Sequence, residues 1–349
     1  MSVPVALIGY GYAGKTFHAP LIEACPELAL QLVVSSDAAK VHADLPHVQV
    51  VASVDQALND GQIALVVIAS PNDSHFPIAQ AALRAGKAVV VDKPFTLTLA
   101  EAEALVALAA ERGLLLSVFH NRRWDSDFLT LCQLLATGRL GPLHRIQSRF
   151  DRYRPEVRQR WREQAGAGSG LWFDLAPHLL DQALLLFGPP ARLWADIRTV
   201  RAGAETDDEF LAILDYGLLR VEIGASMLCP QPAPRWQVTA ATGDYRKQLT
   251  DPQEGRLKAG ERPSGARWGS DEDAGLLTLI DGDAPLYQSL AQLPGSYPAY
   301  YAAVAAALTK GGANPVSGAE ALAVMQWLEL GYRSARDGRW VTAADLGRT

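Results

Sequence analysis

Short, almost wholly apolar runs punctuate the first third of the chain. They fall at Val5 to Ile8, Leu30 to Val34, Val48 to Val51, Ile63 to Ala69, Ala88 to Val91 and Leu114 to Phe119. Continuous runs of this length, without alternation, suit parallel strands buried on both faces. Between them lie stretches with helical spacing, including Phe17 to Ala24, Phe76 to Ala85 and Ala100 to Ala110. Strand alternating with helix in this way predicts an open, doubly wound α/β sheet of the Rossmann kind. Near residue 120 the pattern changes. A helix is expected over Asp127 to Ala136, closed by the turn Gly138 to Pro142, and longer segments that resemble antiparallel strands follow. Phe210 to Leu214 and Leu218 to Ile223 flank Asp215-Tyr216-Gly217, which has the composition of a hairpin turn. Residues 251–275 are rich in Gly, Pro and charge and predict a long exposed loop. Two helices, Pro298 to Thr309 and Gly318 to Ser334, close the chain. The expected division is a doubly wound α/β domain over 1–120 and an α+β domain over 121–349.

Composition narrows the classes. The 349 residues exceed what one ordinary core holds, and 49% hydrophobic with 20% charged residues is globular composition. A net charge of -6 argues against nucleic acid, which asks for clustered positive charge. Cys25, Cys132 and Cys229 are odd in number and far apart, so they read as buried thiols in a reducing, cytoplasmic setting. The first residues run straight into an apolar strand with no basic segment, which is unlike a signal peptide. Apolar runs are too short for a membrane helix, which needs about 20 residues.

Gly9-Tyr10-Gly11-Tyr12-Ala13-Gly14 fits GxGxxG between an expected strand and an expected helix. The first glycine permits a tight turn, the second lets backbone approach a pyrophosphate, and the third lets helix and strand pack closely. Free N–H groups at the helix start then face the phosphate charge. A structural turn is the bland alternative, and the strand–turn–helix context favours the dinucleotide. The second strand ends Val33-Val34-Ser35-Ser36-Asp37. Selectivity for NAD usually places a carboxylate about 20 residues after the glycines. Ser35 holds that place, leaving room for a 2′-phosphate that Lys40 would neutralise, so NADP is favoured over NAD. Asp37 keeps NAD open, because a shift of two residues returns a carboxylate to the ribose.

Val91-Asp92-Lys93-Pro94 follows a buried strand at the carboxyl end of the sheet, where ligands of such sheets bind. Lys93 there can donate to a substrate oxygen and stabilise negative charge; the alternative is a snorkelling surface lysine. Asp174, His178 and Asp181 share a helix face at i, i+4 and i+7 in an otherwise apolar segment. Pro177 must lie in the first turn or kink that helix. A carboxylate can orient an imidazole and support its positive form, so His178 suits proton transfer from a hydroxyl. A satisfied core histidine and a metal ligand are the alternatives, and the lack of a third ligand cluster argues against metal. The arginines of 145–162 are interspersed with Asp151 and Glu156, and read as a solvated strand face with local ion pairs. Tyr153 and Trp161 are candidates to flank a sugar-like ring.

The glycine turn, Ser70-Pro71-Asn72-Asp73-Ser74-His75, Asp92-Lys93-Pro94 and Asp174 to His178 occur in the order seen in the Gfo/Idh/MocA oxidoreductases, which the chain resembles over nearly its whole length. Gly9 to Pro20 (GYGYAGKTFHAP) and His120 to Asp125 (HNRRWD) are similar to the scyllo-inositol dehydrogenase-like bacterial branch. The resemblance implies a second domain with a large, mainly antiparallel sheet that often forms the dimer surface of a dimer or tetramer. It implies Lys93, Asp174 and His178 as the catalytic set. Ser70, Pro71, Asn72 and His75 would contact ribose and phosphates, Lys93 would touch both cofactor and substrate, and Asn121 would lie near the nicotinamide. Two departures stand out: Asp92 replaces the usual glutamate before the lysine, and Gly168-Ser169-Gly170 replaces three glycines. Neither removes a reacting group.

The function so implied is hydride transfer between a nicotinamide cofactor and a CH–OH or C=O group of a polyol or sugar. Two other functions fit the fold. An NAD-dependent glycosidase would show no net redox change, and a cofactor-sensing regulator would have lost its lysine or histidine, both of which are retained here.

Overall fold

The computed structural model describes residues 2–158, 163–265, 267–282 and 284–347, and the chain divides into two units. Residues 1–124, 252–268 and 296–322 form the first; 125–251, 269–295 and 323–349 form the second.

The first unit is built on β1 (Val3–Ile8), β2 (Leu28–Val34), β3 (Gln49–Val51), β4 (Leu65–Ile68), β5 (Ala88–Val91) and β6 (Leu116–Val118). Their order is β3-β2-β1-β4-β5-β6, with every pairing parallel. All four side chains of β4 and of β5 are buried, which is why these strands carry no alternation. Helices complete each crossover: α1 (Ala19–Glu23), α2 (Ala38–Asp44), α3 (Val54–Leu58), α4 (His75–Arg84) and α5 (Leu99–Arg112). Helix α5 begins at a capping box of Thr98 and Glu101 and ends at Gly113 in the left-handed conformation. Segment 251–275 departs from the expected exposed loop. It contains a helix over Gln253–Lys258, and Gln253 is fully buried. The Gln253 amide donates to the Trp124 carbonyl at 3.1 Å and accepts from Tyr297 N at 2.8 Å and Trp268 Nε1 at 3.0 Å. A buried amide with its hydrogen bonds met anchors chain that composition marks as solvent-facing.

The second unit opens with α6 (Ser126–Ala136) and β7 (Leu143–Arg149), followed by α7 (Leu171–Phe187). Then come β8 (Arg192–Arg198), β9 (Glu209–Tyr216), β10 (Leu219–Ser226), β11 (Trp236–Ala240) and β12 (Gly243–Lys247). The helix over Gln253–Lys258 is α8, and β13 (Gly275–Asp281) and β14 (Ala284–Leu290) complete an eight-stranded sheet of order β14-β13-β12-β11-β7-β10-β9-β8. Its pairings are antiparallel except β7 with β10. The hairpin turn sits at Gly217-Leu218, because Tyr216 pairs with Leu219 and Asp215 with Arg220 as strand residues. Alternation is clear here: Phe210, Ala212 and Leu214 of β9 and Val221, Ile223 and Ala225 of β10 are buried, beneath α7. Helix α9 (Pro298–Lys310) packs on α1 and β1 of the first unit, and α10 (Gly318–Asp337) runs on into the second.

No helix among the described residues is long and apolar enough to cross a membrane, and no group of three His, Cys, Asp or Glu among them suits a metal ion. Cys25 is buried, whereas Cys132 and Cys229 are only partly so, less than composition led us to expect. Arg145 faces Glu222 at 3.9 Å and Arg149 holds Asp151 at 3.0 Å, ion pairs along and just beyond β7.

Candidate active site

The first unit gathers its candidates at one edge of the parallel sheet. Gly9 follows β1, Ser35 follows β2, Ser70 follows β4, Lys93 follows β5 and Asn121 follows β6, so all five stand at carboxyl ends. Strand order switches direction around β1 and β4, the position where such sheets bind ligands.

The three turn glycines have distinct surroundings. Gly9 adopts φ +95°, and a Cβ there would lie 2.9 Å from the Ala69 carbonyl oxygen. A Cβ at Gly14 would stand 2.1 Å from the Gly9 carbonyl oxygen, whereas one at Gly11 would meet nothing within 4 Å. Two glycines therefore serve close packing, and the open side of Gly11 fits a phosphate approaching the backbone. Tyr12 is exposed and Ala13 half-buried beside it. Tyr10 anchors the turn by donating to Asp44 at 3.1 Å, and Lys15 reaches the same carboxylate at 2.7 Å. After Gly14 the helix widens: Ala19 N bonds the Gly14 carbonyl, five residues back. The wide turn precedes Pro20, which has no N–H to continue an ordinary helix.

At the end of β2, Ser35 Oγ accepts from Asp37 N at 3.1 Å. Asp37 itself caps α2, its carboxylate accepting from Lys40 N at 2.9 Å. Ser36 and Lys40 are exposed. After β4, Ser70 and Ser74 hydroxyls meet at 2.6 Å around exposed Pro71 and buried Asn72. His75 lies deeper. Its ring nitrogens face the carbonyls of Pro94 at 2.8 Å and Ser70 at 3.0 Å. Burial pushes its imidazole below the usual histidine range, against the opposing influence of Asp92 and the two carbonyls. His75 thus braces the loops after β4 and β5 through their backbone.

Asp92 and Lys93 are partly buried, and the Lys93–Pro94 peptide is cis. Asp92 Oδ1 accepts from Lys93 N at 2.8 Å. Burial pushes the Asp92 carboxyl up, but His18, with His75 and Lys93, outweighs this and holds it below the usual carboxylate range. His18 lies within the GYGYAGKTFHAP segment, whose pattern alone assigns it no role. Its neighbour Tyr301 lies 283 positions away, a distance no local pattern reports. Asn121 is buried in a short turn after β6. The next residue, Arg122, pairs with Glu254, and Arg123 pairs with Glu320 at 2.7 Å.

In the second unit Asp174, His178 and Asp181 lie on the single helix α7, with His178 and Asp181 buried. Positions i, i+4 and i+7 bring them to one face. Pro177 stands well inside the helix, not in its first turn. The start of α7 shows why serine is accepted between two glycines. Gly168 and Gly170 have positive φ, and Ser169 does not. Ser169 Oγ donates to the Gly166 carbonyl at 2.6 Å. A Cβ at Gly170 would lie 2.0 Å from Asp207, which accepts from Trp172 N at 2.6 Å with its carboxylate and from Leu171 N at 2.8 Å with its carbonyl. Burial pushes the Asp207 carboxyl up to about 6 despite those backbone donors. Asp207 was missed by sequence reading because it lies 35 positions from the N–H group it satisfies. Tyr153 is exposed and bridges Leu228, while Trp161 lies outside the described residues.

Residues 3–120 match the oxidoreductase-family NAD-binding Rossmann fold, and residues 133–343 match that family's C-terminal alpha/beta domain. The oxidoreductase YdgJ of Escherichia coli is 53% identical over 335 residues, covering 96% of this chain and 97% of the relative. The scyllo-inositol 2-dehydrogenase (NADP(+)) IolW of Bacillus subtilis is 37% identical over 342 residues, covering 97% and 96%. A solved oxidoreductase structure from Yersinia pestis superposes with a TM-score of 0.95 at 52% identity, covering 98% and 97% of the two chains. With a doubly wound nucleotide sheet, a second mainly antiparallel sheet and both family domains matched, the chain belongs to the Gfo/Idh/MocA oxidoreductases, as an enzyme of the dehydrogenase and reductase class.

Proposed function

We propose that this enzyme transfers hydride between NADP and the CH–OH or C=O carbon of an inositol-type polyol or sugar, with Lys93, Asp174 and His178 as its catalytic set. The observation that carries this reading is the gathering, at one sheet edge, of a glycine turn open at Gly11 and a lysine whose flanking residues are both anchored. Bound there, the nicotinamide supplies or accepts the hydride. Gly9 to Gly14, Ser35, Ser36, Lys40, Ser70, Pro71, Asn72 and Asn121 hold the cofactor, with His75 and Asp92 shaping the loops that bear it. Lys93 donates to the substrate oxygen and stabilises negative charge on it. His178 removes the hydroxyl proton in oxidation and returns it in reduction, oriented by Asp174 one turn earlier on α7. Tyr153 flanks the substrate ring.

Preference for NADP is supported by Asp37, whose carboxylate is engaged in capping α2. The relative IolW, a scyllo-inositol 2-dehydrogenase (NADP(+)), points the same way. Free thiols support a cytoplasmic setting. Exposed Leu276, Ile280 and Tyr287 on β13 and β14 support a homodimer or tetramer. The test is a spectrophotometric screen of inositols and aldoses with both cofactors, repeated on Lys93→Ala and His178→Ala. Each variant should lose roughly 10²-fold or more in kcat. Turnover equal to the parent's in both would remove the catalytic assignment, and a higher kcat/KM with NAD would reverse the cofactor preference.

A further inference from the structure

His18 is fully buried at the end of the widened turn that follows the glycines. Its Nδ1 lies 2.6 Å from the Tyr301 hydroxyl, on α9. Its Nε2 makes no hydrogen bond, and Asp92 Oδ1 stands 3.6 Å away, too long for an ordinary hydrogen bond but close enough for an N–H dipole to face the carboxylate. That same Oδ1 accepts the backbone N–H of Lys93. Burial pushes ionisation of Tyr301 well above the usual tyrosine range, so its hydroxyl keeps a proton to give. If Nδ1 carried the ring proton instead, the Nε2 lone pair would face a carboxylate at close range. Electrostatics therefore selects the tautomer in which Tyr301 donates to Nδ1 and Nε2–H points toward Asp92.

We propose that His18 is a positioning residue for Lys93: its Nε2–H, fixed in direction by Tyr301, holds the Asp92 carboxylate on the Lys93 backbone N–H. The inference rests on Lys93 being the catalytic lysine of the reading above. A carboxylate away from bulk water stays ionised and in place only when donors and positive charge compensate it. The groups facing Asp92 are His18, His75 and Lys93, with the hydroxyls of Tyr300 and Tyr301 nearby. His75 already grips the Pro94 carbonyl on the other side of Lys93. Two buried histidines from different helices thus secure the residues before and after the lysine. The bend that carries its amine is fixed before any ligand arrives. A lysine misplaced by about 1 Å loses catalysis on the order of 10²-fold, so rigidity at this bend has a kinetic use.

The experiment pairs a spectroscopic readout with kinetics. Nitrogen-15 NMR of labelled histidine in the ligand-free enzyme should show His18 protonated at Nε2, with a shift that moves in Asp92→Asn. In kinetics with NADP and the polyol that the parent turns over fastest, His18→Gln places an amide N–H near the Nε2 position. It should keep kcat within about threefold, whereas His18→Leu should lose about tenfold or more, with KM and the NADPH Kd within about twofold of the parent. Tyr301→Phe, which keeps the ring packing, should lower kcat in the same selective way if His18→Leu does not fold. An Nδ1-protonated ring, or equal kcat losses in the Gln and Leu variants, would overturn the positioning role. Lys93→Ala as active as the parent would instead overturn the catalytic reading beneath it.

Discussion

A methyl group added at Gly14 would stand 2.1 Å from a backbone oxygen, and one added at Gly11 would touch nothing. These two positions of one motif are therefore expected to separate folding from binding. Gly14→Ala is expected to cost about 1–3 kcal/mol or more, the range for overpacking, because the clashing partner is backbone and has little room to move. Gly11→Ala should leave the melting temperature of the ligand-free protein unchanged and weaken NADPH by about tenfold or more, equivalent to about 1.4 kcal/mol. Thermal melts beside a fluorescence titration of NADPH check both. A Gly11→Ala protein that binds as the parent does would remove the phosphate from that side of the turn. The spacing and context of this motif were legible in the sequence because strand, turn and helix are consecutive. The division of labour among its glycines was not, since the Gly9 collision is with Ala69, the residue after β4.

Helix α7 shows how an element that carries candidate catalytic side chains is held at its start. Its first N–H groups meet Asp207, whose carboxyl sits at about 6, raised first by burial. A carboxyl raised above its unfolded value of about 3.9 contributes stability fully below that value and loses it as pH rises through about 6. At neutral pH the ionised group is thus a liability that the backbone donors only partly offset. Asp207→Asn keeps an acceptor for Trp172 N and removes the titration. Its stability relative to the parent should improve between pH 5 and pH 7.5 by about 1–2 kcal/mol, after allowance for partial exposure. Denaturant unfolding at the two pH values measures this, and a difference independent of pH would reject the assignment. The helix and its Asp174, His178 and Asp181 stripe were readable from spacing alone. Its cap was not, because capping here comes from the β8–β9 connection and not from the residues just before the helix.

For the molecule as a whole, the second sheet leaves apolar side chains in solvent. Leu276, Ile280 and Tyr287 are 45%, 53% and 65% exposed, and the strand register puts all three on one face of the β13–β14 hairpin. An exposed apolar face on an edge hairpin favours association with a second copy. With the proposed dimer formed through this face, Tyr287→Asp should shift the enzyme toward monomer in sedimentation velocity without altering far-ultraviolet circular dichroism. An unchanged sedimentation coefficient would reject this face as the site of association.

The six parallel strands, the β9–β10 hairpin, most helices, the glycine turn and the order of the catalytic candidates were legible in the sequence alone, because each depends on periodicity or on neighbours within a few positions. Tertiary structure alone decided the pairing of His18 with Tyr301 and Asp92, the Asp207 cap, and the return of 252–268 and 296–322 to the first unit. In those cases the partner of a buried polar group is chosen by which distant segment the fold brings within reach. Composition can even mislead there, as it did for the segment anchored by buried Gln253. Local patterns state what a residue needs, whereas only the closed chain states what meets that need.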